Sequence, residues 1–210
     1  MSLMFKTYEC THCDYRYTDS TYSSCYYMIG ELKVHMRHSL GWCHSCNSLA
    51  LVEILPTAEQ EAALAQGLAV LKARLEELQN TPLPKRRWWQ FKARGLAERS
   101  AKQSDLEFQI AEEEENLADC RLLREVLSGR KGKGRCLQCL SEDNNILPPH
   151  DTNYYEPDPV NTGLQHPGCK GELISVFEDL RIYVTKLPEK LYDINGRLLE
   201  THINGNVYVK

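Results

Sequence analysis

Cys10-Thr11-His12-Cys13 and Cys43-His44-Ser45-Cys46 are two turns of one kind, each carrying two thiols three positions apart on a single bend. Such a turn aims both sulfurs at one point, and a tetrahedral ion there needs two more donors from a second turn. The second turn follows the first after 29 residues. Near the other end stand Cys136-Leu137-Gln138-Cys139 and, 26 residues on, His166-Pro167-Gly168-Cys169. Matching each turn to its nearest neighbour predicts two structural Zn2+ ions. One is expected on Cys10, Cys13, Cys43 and Cys46, the other on Cys136, Cys139, His166 and Cys169. Both quartets are full on this reading, whereas a catalytic zinc keeps one position for water or substrate.

Rival uses of the cysteines are weaker. Disulfides require an oxidising compartment, and Met1 to Phe5 opens no apolar stretch of the kind that begins a secretory signal. The expectation is a reducing, cytoplasmic setting. A thioredoxin-type redox pair needs one Cys-x-x-Cys at a helix start in a βαβ unit, and that pattern is missing. Iron remains an alternative in the all-cysteine site, and His150 an alternative to His166, although only His166 has knuckle spacing from Cys169. His12 and His44 lie inside turns and are expected to point outward. Cys120 reads as a small buried hydrophobe, and Cys25 as a plain thiol or an exchanging fifth ligand.

The spacings resemble the zinc-ribbon, or rubredoxin-like, group across residues 8–48 and 134–175. That resemblance implies, in each module, two knuckles and a short antiparallel sheet clasping one metal. It concerns fold and names no function. The inserts between knuckles are longer than in the most compact ribbons. Asp14, Asn47 and Gly171 stand where a knuckle calls for left-handed backbone.

Between the metal turns the composition changes. Three domains are expected: an N-terminal zinc ribbon over 1–56, a helical hairpin over 57–129, and a C-terminal zinc ribbon with β-hairpins over 130–210. The fold class is α+β, with two small antiparallel ribbon modules flanking an antiparallel, coiled-coil-like hairpin. Thr57 with Gln60 forms a capping box. Leu64, Leu68, Leu71, Leu75 and Leu78 step by 4, 3, 4 and 3, a seam that packs on another helix. Pro82 and Pro84 end that helix near Asn80. A second helical stretch, Lys85 to Leu127, would be a rod of roughly 65 Å, about twice the first. Ser104 with Glu107 repeats the capping pattern, so a break into 86–102 and 105–127 is expected, with a continuous rod as the alternative. Beyond the basic segment Arg130–Arg135, read as a flexible linker, Ser141 to Gln165 reads as a long loop. Strand runs follow at 172–177 and 180–185, and hairpins at Asn195-Gly196 and Asn204-Gly205.

The net charge is −4 over 210 residues. Seven thiolates and two divalent ions would bring it to about −7, away from bulk affinity for nucleic acid. No apolar run reaches the roughly 18 residues of a membrane span. Arg86, Arg87, Trp88, Trp89, Phe91, Lys92 and Arg94 crowd cations and aromatics into a short segment and are the candidate partner-binding residues. The acidic run Glu112 to Glu115 follows close behind. No phosphate loop, H-E-x-x-H, nucleophile elbow or deaminase signature occurs. The sequence therefore supports a non-enzymatic adaptor or regulator that binds another macromolecule, protein first. A nucleic-acid accessory using Lys85–Arg94 and Arg130–Arg135 is the second reading, with membrane-surface contact a further expectation.

Overall fold

The computed structural model describes residues 2–19, 23–81, 92–130, 132–148, 159–184, 188–202 and 207–209, of which 2–5, 92–97, 177–184 and 207–209 by backbone alone. The chain opens with six strands: β1 (Ser2–Cys10), β2 (Arg16–Asp19), β3 (Ser24–Ile29), β4 (Leu32–His35), β5 (His38–Cys43) and β6 (Ser48–Glu53). Two helices follow, α1 (Ala58–Asn80) and α2 (Lys92–Val126). The chain closes with β7 (Asn144–Ile146), β8 (Val160–Gln165), β9 (Glu172–Val184), β10 (Glu189–Tyr192), β11 (Leu198–His202) and β12 (Val207–Val209).

The class is mixed α+β, as expected, but the two ends are not separate modules. Met1–Leu55 and Arg130–Lys210 form one compact unit, and Pro56–Gly129 forms the other. Every sheet of the first unit joins early strands to late ones. In the largest, β1 runs antiparallel to β9 with β2 on its far side, and β8 and β12 share the other edge of β9. A second sheet has the order β11-β10-β3-β4, its β3–β10 pair being parallel. In the third, β5 lies between β6 and β7. The expected pair of end modules is thus corrected to one interleaved unit. Local alternation marks strands but carries no information about which distant strand will pair.

The core follows from that interleaving. Tyr8, Leu40, Trp42, Leu49, Leu147 and Leu173 form one buried cluster drawn from both ends of the chain. The same unit holds a buried ion pair. Glu53 is wholly buried, and its carboxylate accepts from both terminal nitrogens of the Arg130 guanidinium, from Tyr27 Oη and from the Arg135 N–H at 2.8 Å. Burial, then the adjacent carboxylate, push the Tyr27 phenol far above its ordinary range, so it stays protonated and donates. Arg130 also reaches the Ile194 carbonyl at 3.1 Å, and Arg135 the Asn195 carbonyl at 2.8 Å and Glu142 at 3.2 Å. The segment read as a flexible basic linker therefore spends two of its cations inside the fold.

In the second unit the Thr57–Gln60 capping box is present. α1 and α2 run antiparallel, with Glu61 meeting Arg121 and Arg124 and Lys72 meeting Glu114 at 2.6 Å. Arg99 donates to the carbonyls of Leu78 and Gln79, which the end of α1 leaves without helical partners. Leu68, Leu117, Cys120, Leu123 and Leu127 are buried. α2 is continuous over its 35 residues, so the break expected at Ser104 is corrected to the rod. Strong helix formers surround Ser104, and Gln103 bonds to Glu107 at 2.8 Å one turn on, so no cap competes with helix continuation. Residues 204–205, the second hairpin signal, lie outside the described residues. The Asn195-Gly196 hairpin is present as β10–β11, with Gly196 at φ +80 and Asp193 Oδ1 accepting from the N–H groups of Asn195 and Arg197.

The Glu53 pair predicts an asymmetry. Arg130→Met leaves a buried carboxylate without its cation, and should destabilise the first unit by about 3–5 kcal/mol. Lys133→Met, on the exposed part of the same segment, should stay within about 0.5 kcal/mol. Hydrogen exchange at the β6 amides in denaturant reads both.

Candidate metal centre

All four turns close in the same way. The first ligand's N–H donates to the carbonyl five residues on: Cys10 to Tyr15 at 3.1 Å, Cys136 to Ser141 at 2.9 Å and His166 to Gly171 at 2.7 Å. Cys43 faces Ser48 at the same separation in the β5–β6 ladder. The residue after the second ligand is left-handed in three turns, at Asn47 (φ 50), Leu140 (φ 65) and Lys170 (φ 59). Asn47 was legible. Leu140 and Lys170 were not, because neither side chain favours that conformation. Asp14 does not adopt it. Gly171 has a different reason to be glycine: a Cβ there would stand 2.5 Å from Cys10 Sγ and 2.7 Å from His12 Cβ.

The turns assemble as two quartets, Cys10, Cys13, His166 and Cys169, and Cys43, Cys46, Cys136 and Cys139. The donor atoms of each lie within 4.8 Å of one another. In the outer quartet Cys169 Sγ is 3.3 Å from Cys10 Sγ and 3.5 Å from Cys13 Sγ, and His166 Nδ1 is 3.2 Å from Cys169 Sγ. In the inner quartet Cys43 to Cys139 is 3.5 Å and Cys46 to Cys136 is 3.8 Å. Sulfurs at tetrahedral corners around an ion with bonds of about 2.3 Å would stand about 3.8 Å apart. The donor sets and spacings fit a tetrahedral metal ion. All nine cysteines are free.

The eight predicted residues are those brought together, but the pairing is corrected. The first turn joins the fourth, and the second joins the third. The strands decide this: Cys10 sits opposite Leu173 in the β1–β9 ladder, and Cys43 opposite Asn144 in β5–β7, with Val52 bridging Cys136. A knuckle supplies two ligands and is completed by any other knuckle, so spacing alone could not choose the partner. The clusters are compatible with zinc-ribbon-like modules, each assembled from both ends of the chain.

The inner quartet is the more enclosed, with Cys43 and Cys136 fully buried. Burial, then neighbouring thiols, push the Cys46 thiol far up; burial also raises Cys136. Crowded sulfurs resist sharing negative charge until a cation joins them. His166 stacks on Tyr15, ring centroids 4.9 Å apart, and meets the edge of Trp42 at 4.8 Å. Tyr15 Oη accepts from the Leu49 N–H at 3.0 Å and lies 3.3 Å from Ser48 Oγ, just past the second knuckle. Sequence reasoning missed this aromatic bridge between the quartets, since nothing in a lone Tyr or Trp announces it.

Cys25 belongs to neither cluster. It is buried beside Ser23, and burial raises its thiol, but the hydrogen bond and charge of His38 bring it below its usual range. The same bond raises His38. Residues 82–91, which hold Arg86, Arg87, Trp88, Trp89 and Phe91, lie outside the described residues, as does His150. Lys92 and Arg94 fall in α2, outside the described side chains. No helix of the described residues is long and apolar enough to cross a membrane. No protein-family model, curated protein or solved structure matches the chain.

The nested pairing makes a stoichiometric prediction. Cys10→Ser with Cys169→Ser should remove one metal equivalent, as should Cys43→Ser with Cys136→Ser. Cys10→Ser with Cys43→Ser should impair both sites. Elemental analysis of the purified variants reads the count, and a single lost equivalent for the last pair would restore the neighbour pairing.

Proposed function

We propose that this chain is a non-enzymatic, zinc-stabilised adaptor or regulatory protein that binds another protein. The observation that carries this reading is the completion of both quartets. Eight donors pair into two sets of four, and sets of three thiolates with one imidazole or of four thiolates suit zinc in a structural role. A catalytic zinc would hold three protein ligands and one exchangeable position. The nine free thiols accord with a reducing compartment such as the cytoplasm. The nucleic-acid reading draws on the Lys85–Arg94 segment and on Arg130–Arg135. The second loses support because Arg130 and Arg135 are held by Glu53 and Glu142.

Two measurements test this reading. The purified protein should carry two equivalents of zinc, and chelation should abolish exchange protection in the β-rich unit while the helices keep their circular dichroism signal. Cross-linking capture from native cells should recover a protein partner with the metallated chain and lose it after chelation. Tight binding of DNA or RNA at 50 mM salt with a steep salt slope would instead favour the nucleic-acid reading.

A further inference from the structure

β11 has one ladder partner, β10, so among the described residues its other edge is free. All five of its residues are exposed, Leu198 and Leu199 by 51% and 54%. Such an edge is a template for one more strand, and proteins commonly block it with lysine or proline. β11 has neither, and its Glu200 and His202 are engaged with each other at 2.9 Å. At the beginning of this strand lies a cavity of about 500 Å³. Tyr17, Leu140, Tyr192 and Leu198 give it apolar and aromatic walls, and Lys190 and Arg197 give it charge. No carboxylate lines it, and neither cation is in an ion pair among the described residues. Nearby carboxylates are committed elsewhere: Asp193 Oδ1 accepts from the loop N–H groups, and Glu53 is closed by Arg130 and Tyr27.

We infer that this edge and cavity form one docking surface for an extended acidic segment of a partner protein, added to β11 as a strand, with an Asp or Glu side chain against Lys190 and Arg197. The inference rests on the protein-binding reading above and names the surface and the chemistry. Main-chain hydrogen bonds along a sheet edge supply affinity whatever the sequence, and a pocket beside the edge supplies selection. Two cations without a counterion in a recess whose other walls carry no charge favour an anionic group, and reject a basic one through like charge. A free small molecule would use the cavity and its Leu198 wall but leave Leu199 and the open edge of β11 exposed. A strand laid along β11 covers them.

The test is a selection of randomised ten-residue segments, displayed between flexible linkers, against the full metallated chain. Selected segments should be rich in Asp and Glu. A synthetic peptide of the selected sequence, with both termini blocked, should protect the amides of Leu198–Thr201 from hydrogen exchange. Its affinity should fall at least about tenfold with Lys190→Glu plus Arg197→Glu, or with a proline placed mid-peptide. The charge variants must keep two metal equivalents and the exchange protection of β9, and Arg197→Gln alone gives a milder check. Uncharged or basic selected sequences, binding unaffected by the charge reversal, or no selected binder at all would overturn this surface. A cellular partner captured equally well by the charge-reversed chain would overturn it too, while leaving the wider protein-binding reading standing.

Discussion

Each quartet ties a turn from the first fifty residues to a turn beyond residue 135, and the rest of the β-rich unit depends on that closure. The Cys10–Cys169 contact encloses the Cys43–Cys139 contact, so the sites are nested. Closing loops this long costs entropy, but the cost grows only as the logarithm of length, about 0.6 kcal/mol per doubling. Structural zinc in small domains contributes on the order of 10 kcal/mol. On the zinc reading, two ions outweigh the closures, and the unit can be built from chain ends that 74 helix-rich residues separate, Pro56 to Gly129.

The quartets are also joined to each other. His166 is a donor of the outer set, and its ring lies against Tyr15 and Trp42. Tyr15 closes the first knuckle through its carbonyl and grips the start of β6 through its hydroxyl. Trp42 directly precedes Cys43, a donor of the inner set, and is 1% exposed. Aromatic contacts of this kind add about 0.5–1.5 kcal/mol beyond burial. Their larger effect is geometric, because an imidazole packed on two rings presents Nδ1 in one direction. Outer-shell contacts of this sort set the orientation of metal-ligating histidines.

What the sequence disclosed divides along local and non-local lines. The donors that cluster were legible, since two donors three residues apart are a local geometric fact. The capping box at Thr57 and the leucine seam of α1 were legible for the same reason. Pairing was not, because it is set by β1 against β9 and β5 against β7, contacts some 100 to 180 residues apart in the chain. The role of Arg130 was hidden likewise. In sequence it stands in a Gly- and Lys-rich run that reads as solvated, and only the fold brings Glu53 to it. Ser104 shows the converse failure, a local cap signal overruled by helix formers on both sides.

Within the β-rich unit the fold itself engages two sets of chemically active side chains. Eight donors close two clusters that could hold metal, Glu53 is neutralised by Arg130 and bonded by Tyr27, and Arg135 is held by Glu142. Groups already satisfied in this way have little left to offer a substrate, since breaking a buried pair costs several kcal/mol before any ligand gain. On the protein-binding reading, recognition would fall to surfaces whose groups are unsatisfied. Lys190, Arg197 and the open edge of β11 are such groups within the described residues, and none of them is a donor of either quartet. On that reading the charges that select a partner are not metal donors, yet Leu137, Gln138 and Leu140 of the third knuckle share the cavity wall with them, so the surface borders the inner quartet.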